Sequence, residues 1–132
     1  MKCNSAPILS FCERVISGGT PASSNEAYYG GDIPWLRTQE VVFNKIDKVD
    51  IHITEQGLKN SSAKWIPANS VIVAMYGNSA GRVAINKIPL TTNQACCNLI
   101  VDKQVADYRY VYYALKNSFE HLKSLSRGAA QN

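Results

Sequence analysis

What this chain lacks narrows its chemistry before any motif is read. No apolar run approaches the ~18 residues that crossing a bilayer requires. The N-terminus offers one lysine and a short apolar stretch ending at Leu9 before Glu13 and Arg14, too weak a pattern for a secretory signal. A cytoplasmic location with no membrane partner is therefore expected. Cys3, Cys12, Cys96 and Cys97 show none of the paired two-residue gaps of a structural zinc site. They are expected to be reduced and to pack as small apolar residues, with Cys96 and Cys97 on opposite faces of a strand. No Walker phosphate loop occurs, and Gly18-Gly19-Thr20 and Gly30-Gly31 have the wrong spacing for a nucleotide fingerprint. The histidines, His52 and His121, are far apart, and the closest carboxylates at acid-base spacing, Asp47 and Asp50, sit in a charged surface stretch. No reactive set emerges, so an enzyme is not expected. A small thiol enzyme using Cys96 or Cys97 stays open as an alternative.

Acids are missing from one long stretch. After Glu55 none appears until Asp102, while Lys59, Lys64, Arg82 and Lys87 fall between them. The net charge is only +4, but attraction to phosphate depends on local cationic surface rather than on the total.

What is present reads as one domain of α+β class. Its 132 residues, 45% hydrophobic and 18% charged, suit a globular core. Residues 1–8 read as a lead-in and 9–132 as the domain. Ser10 with Glu13 has the spacing of a capping box, which predicts a short N-terminal helix ended by Gly18-Gly19. Tyr28-Tyr29-Gly30-Gly31-Asp32 reads as a turn. Strands are expected at 33–38, 41–43, 49–53 and 64–66. Thr54 is placed to cap a single helical turn through Lys59. Val71-Ile72-Val73-Ala74 is apolar without alternation, which predicts a central strand buried on both faces. Residues 82–86 return from it as a hairpin, and 95–101 form another buried strand. From Asp107, Val111, Tyr112, Leu115, Phe119 and Leu122 recur at helical spacing and predict one long C-terminal helix stopped by Gly128. A twisted, mixed or antiparallel sheet with this helix packed on it is the expected architecture. Trp35, Trp65 and Tyr76 are large enough to anchor the core.

Several segments fall in a recognisable order. Ile16-Ser17-Gly18-Gly19-Thr20-Pro21 precedes Tyr28-Tyr29-Gly30-Gly31-Asp32-Ile33-Pro34-Trp35-Leu36-Arg37-Thr38. Then come Ile53-Thr54-Glu55-Gln56-Gly57-Leu58-Lys59 running on to Lys64, Ile66-Pro67, Val73-Ala74-Met75-Tyr76-Gly77, Gly81-Arg82-Val83-Ala84, Thr92-Asn93-Gln94-Ala95-Cys96-Cys97 and Arg127-Gly128-Ala129-Ala130-Gln131. From Leu9 onward the chain resembles the target-recognition domain of type I restriction-modification specificity subunits.

The resemblance implies double-stranded DNA as partner, with each such domain reading one half of a split target. It implies modification (methyltransferase) subunits that use S-adenosylmethionine, and a restriction subunit that uses ATP and Mg2+. No cofactor is expected on this chain. The family's spacer helix and second recognition domain do not follow Asn132 here, as expected of an excised domain or a truncated product; self-association is left open, and a decoy that binds modification subunits without reading DNA is the alternative reading. Base readers vary with the target, so they are chosen on chemistry. Arginine suits guanine, and asparagine or glutamine suits adenine. Asn78, Arg82 and Gln94 are assigned to bases or the adjacent backbone, and Arg37, Lys59, Ser62 and Lys64 to phosphates. Thr20, Tyr76, Ser79 and Asn93 complete the candidate DNA-binding set, drawn from the loops at 20–25, 76–82 and 91–94. Asn93-Gln94 has the alternative role of an amide pair that fixes its own loop. Tyr110, Tyr113 and Lys116 are left for a partner domain or spacer.

Overall fold

The unbroken apolar run at 71–74 is buried on both faces because each face has its own covering layer. A computed structural model describes residues 7–131, with side chains described through His121. The expected lead-in at 1–8 lies almost wholly outside it. Among the described residues eight strands are present: β1 (Cys12–Ser17), β2 (Tyr29–Leu36), β3 (Lys45–Ile46), β4 (Ile51–Ile53), β5 (Val71–Ala74), β6 (Val83–Asn86), β7 (Thr91–Thr92) and β8 (Cys96–Val101). The helices are α1 (Glu55–Lys59) and α2 (Tyr108–Gln131). The strands divide into a five-stranded sheet of order β1-β8-β5-β6-β3 and a three-stranded sheet of order β4-β2-β7, each with antiparallel and parallel pairings. The expected α+β class holds.

Side chains alternate across the larger sheet with the two-residue period of a strand. Val71, Val73, Val83, Ile85, Cys97, Leu99 and Val101 face α2, meeting Val111 and Tyr112 in one core. Ile72, Ala74, Ala84 and Cys96 face the other way, meeting Leu36, Ile66 and Leu90 in a second. Cys96 and Cys97 thus point to opposite faces, as expected. A third cluster, Ile33, Trp35, Ile53 and Ala63, fills the smaller sheet. Two fully buried asparagines pin the backbone, one at the loops beside β5 and β6 and one between the sheets. Asn86 accepts from the Ser70 amide and donates to the carbonyls of Pro67 and Ile88. Asn98 donates to the Ile16 carbonyl (3.1 Å) and to Thr92 Oγ1 (2.9 Å), joining β1 to β7.

Several local expectations are corrected. No N-terminal helix forms over Ser10–Ser17. Pro7–Phe11 is a 3-10 turn in which the Ser10 hydroxyl bonds the Pro7 carbonyl, and Cys12–Ser17 is a strand paired with β8. The β-branched pair Val15-Ile16 and an open edge of β8 outweigh the capping signal. Tyr28 closes a 3-10 turn over Glu26–Tyr28, whereas residues 29–32 are the irregular start of β2 rather than a turn. Both Tyr29 and Ile33 align with Ile53, and the slip is taken up at Gly30, with φ +84°. Residues 41–43 are not a strand, and 64–66 contributes a single bridge, Ile66 to Leu90. Gly128 does not stop α2, which runs to Gln131; one glycine in a helix weakens it without ending it. Trp35 is buried, but Trp65 is 45% and Tyr76 67% exposed, so neither anchors the core. Cys97 is joined in a disulfide rather than reduced, whereas Cys12 and Cys96 are free thiols. Side-chain period shows which face a thiol takes, not which thiols meet.

Candidate nucleic-acid interface

Antiparallel pairing sets which loops share an end of the sheet. The C-terminal ends of β1 and β5 lie beside the N-terminal ends of β8 and β6, with Ser17 opposite Cys97, Ala74 opposite Cys96 and Val73 opposite Val83. The segments that leave these ends, at 18–20, 75–82 and 93–95, are therefore neighbours although they span much of the chain. Backbone hydrogen bonds tie them: Gly19 N to Thr92 O at 3.0 Å, Met75 N to Ala95 O at 2.8 Å, and Asn93 N to Leu36 O at 2.9 Å.

The first loop is pressed into place. A methyl group at Gly18 would collide with the Thr92 carbonyl oxygen, and one at Gly19 would lie 2.7 Å from Ser62 Cβ. Trp35 Nε1 donates to the Gly19 carbonyl (2.9 Å) from the core of the smaller sheet. Thr20 is thereby set beside Gln94, and its hydroxyl donates to Gln94 Oε1. The Gln94 amide nitrogen makes no hydrogen bond among the described residues and is exposed. Ser62, against Gly19, brings Lys64 with it through a bond from Lys64 Nζ to the Ser62 carbonyl (3.1 Å). Lys59, at the end of α1, is exposed and unpaired among the described residues. Thr54 caps that helix as expected, its hydroxyl oxygen accepting from the Gly57 amide.

The loop at 76–82 projects from the same end. Tyr76 and Asn78 are exposed, and Ser79 and Arg82 are half-buried. Neither the Asn78 amide nor the Arg82 guanidinium has a hydrogen-bonding or charged partner among the described residues. The absence of acids between Glu55 and Asp102 leaves these cations without a nearby carboxylate in their own segments.

Two candidates have partners within the fold. The Asn93 side-chain oxygen accepts from the Thr38 hydroxyl (3.0 Å), the Ala95 amide (3.2 Å) and the Cys96 thiol (3.4 Å). It fixes the link between the two sheets while its neighbour Gln94 faces out. Arg37 lies 3.7 Å from Glu40 and 3.6 Å from Asp50, so its charge is engaged within the fold. Lys87 lies at the opposite end of the sheet, bonded to Asn69 Oδ1 (2.7 Å) and the Tyr108 hydroxyl (3.1 Å). Phe43 was missed at the loop end: its φ is +63°, and its amide donates to the Val83 carbonyl (2.9 Å). No residue pattern announces a left-handed phenylalanine.

The thiols offer little reactivity. Burial pushes Cys96 up to about 11, against hydrogen bonds from Thr38 and Thr92 that lower it. Among the described residues, no three histidines, cysteines or carboxylates gather to hold a metal, and no helix is long and apolar enough to cross a membrane.

The family model for the type I restriction modification DNA specificity domain matches residues 7–132. The chain is 34% identical over 119 residues to the type I restriction enzyme MjaIX specificity subunit of Methanocaldococcus jannaschii, covering 87% of this chain and 27% of that protein. It is 30% identical over 102 residues to the EcoR124I/EcoR124II specificity subunit of Escherichia coli (74% and 25% covered). It is likewise 30% identical over 124 residues to the HindI specificity subunit of Haemophilus influenzae (91% and 26%). In fold it is similar to the HsdS subunit from Thermoanaerobacter tengcongensis, with a TM-score of 0.59 at 16% identity over 83% of this chain and 26% of that one. The chain spans about a quarter of the length of these relatives. It belongs to the type I restriction modification DNA specificity domain family.

Proposed function

We propose that this chain reads one half of a bipartite double-stranded DNA target for a cytoplasmic type I restriction-modification complex and catalyses nothing itself. The observation that carries the reading is the single sheet end that gathers Gln94, Asn78 and Arg82. Asn78 and Arg82 come from one loop and Gln94 from another, and each has donors left unused by the fold. Paired donor and acceptor side chains are what base edges in the major groove require. Thr20, Ser62 and Lys64 are tied to this end, and with Lys59 they offer groups suited to phosphates. Arg37 and Asn93 serve by holding the loops.

The chain's kinship with specificity subunits supports modification subunits as partners, with S-adenosylmethionine, ATP and Mg2+ used by the other subunits and not here. The thiol-enzyme alternative has Cys96 buried and protonated and Cys97 oxidised against it.

Selection of bound sites from a random duplex library at low salt tests the proposal. Enrichment of one short motif is the expected result. Salt-sensitive binding without enrichment would reduce the site to a cationic scaffold, and no binding at all would favour a module that only assembles with modification subunits.

A further inference from the structure

The loop at 76–82 has little apolar anchorage of its own. Tyr76 points into solvent at 67% exposure, and the residues after it are small or polar. Its internal bonds are few: Ala80 N to Gly77 O (3.2 Å) and Arg82 N to Ser79 O (2.9 Å), while Gly81 N to Ala74 O (2.8 Å) and Ala74 N to Arg82 O (2.9 Å) tie its C-terminal end to β5. Gly77 and Gly81 both have positive φ, at +72° and +88°. They differ in surroundings. A side chain at Gly77 would meet open space, whereas a Cβ at Gly81 would lie 2.8 Å from Cδ2 of Phe119. At that point α2 touches the loop backbone directly.

Phe119 does not stand alone there. Its ring lies 5.1 Å from that of Phe43, inclined at 58°. Phe43 adopts a backbone conformation that a bulky residue holds only when its surroundings over-determine it. They do: its amide is bonded to the carbonyl of Val83, next in sequence to Arg82, and Lys116 Nζ stands 5.8 Å over its ring. The C-terminal side of the loop is thus clamped between a turn near residue 43 and a helix residue at 119.

We infer that Phe119, seated on Phe43, is a positioning residue that fixes the shape of the 76–82 loop and thereby the target preference of Asn78 and Arg82. The specificity half rests on the DNA reading proposed above; the mechanical half does not. Phe119 lies two turns beyond the fully buried Val111 and Tyr112, at a level where α2 faces the loop as well as the sheet. Side chains read bases only when their backbone is held in one geometry, because a mobile loop spends binding free energy on ordering.

The test uses the full chain with Phe119→Ala and Phe119→Leu. Amide hydrogen exchange is followed at Gly81 and Arg82, with Leu99 of β8 as an internal standard, and the library selection is repeated. Phe119→Ala is expected to speed exchange at Gly81 and Arg82 by about tenfold while Leu99 is unchanged. It should flatten the enriched motif and leave the salt dependence of binding intact, and Phe119→Leu should restore much of both. Unchanged exchange at Gly81, or equal acceleration at Leu99, overturns the inference. So does faster loop exchange with the motif intact. If the parent chain enriches no motif, the DNA reading fails and takes the specificity half with it, while the Gly81 amide still reports on the clamp.

Discussion

Cys96 shows how environment decides the chemistry of a single residue. The thiolate is the reactive form of cysteine, and a buried apolar site disfavours it. With its pKa pushed up to about 11 by burial, Cys96 stays protonated at neutral pH in the folded chain. Iodoacetamide at pH 8 is therefore expected to label Cys96 far more slowly in the native chain than in denaturant, as read by peptide mass spectrometry. Fast native labelling would revive the thiol-enzyme reading. The same shift has a stability consequence. The folded-state pKa is above the unfolded value of 9.0, so the contribution is complete below pH 9 and is lost as pH rises from there toward 11. Gly18 and Gly19 make a complementary point. Here glycine is needed because Thr92 and Ser62 occupy the space a side chain would fill, which places Thr20 against Gln94. Neither is a helix stop.

The N-terminus of α2 carries the clearest local signal among the elements. The Asp107 carboxylate accepts from the Arg109 amide (2.8 Å) and from its guanidinium at Nε (3.0 Å) and Nη2 (2.7 Å). The Arg109 side chain first, then its amide, hold Asp107 down at about 2. Because the folded pKa is depressed, the cap contributes above the ordinary value of 3.8 and is lost as pH falls from there toward 2. Far-UV circular dichroism should show partial loss of helix over that acid range. Asp107→Ala should lower the thermal midpoint at neutral pH and remove the acid step; an unchanged acid step would show that Asp107 does not hold the helix end. The helix it starts was legible from apolar residues at three- and four-residue spacing, and Val111 and Tyr112 are buried as that spacing requires. Tyr110 and Tyr113 remain exposed, also as expected. Leu122 falls outside the described side chains. The first strand was illegible by comparison. Ser10 and Glu13 fit a helix start in isolation, and only the presence of β8 alongside gives residues 12–17 a ladder to join.

For the whole molecule, the distribution of charge matters more than its sum. The acid-free stretch from 56 to 101 crosses both ends of the larger sheet, so its cations do not act together. Arg82 lies at the loop end and Lys87 is bonded to Asn69 and Tyr108 at the other. Replacing Lys59 or Lys64 by alanine should weaken binding to all duplexes alike and reduce the slope of log affinity against log salt by roughly one unit each. Lys87→Ala should leave that slope unchanged. Joint replacement of Asn78, Arg82 and Gln94 should instead erase target preference while sparing most of the salt-dependent affinity, at ~1–3 kcal/mol per lost base contact. Equal slopes for Lys64→Ala and Lys87→Ala would place the phosphate track elsewhere.

The sequence by itself determined the class of fold, the two buried strands β5 and β8, the capped turn at Thr54, the long helix and the family. These rest on periodicity, local capping and ordered motifs, which act between residues close in the chain. Tertiary structure alone decided which candidates face outward. Asn93 and Gln94 are adjacent and chemically alike, yet the first is consumed by Thr38, Ala95 and Cys96, and the second is left to solvent beside Thr20. Arg37 and Arg82 carry the same charge, yet only Arg37 meets Glu40 and Asp50. Tertiary structure likewise set the left-handed turn at Phe43 and its meeting with Phe119, and took Tyr76 and Trp65 out of the core. The reason is physical: these outcomes depend on hydrogen bonds and contacts between segments tens of residues apart, and no local pattern encodes a partner that distant.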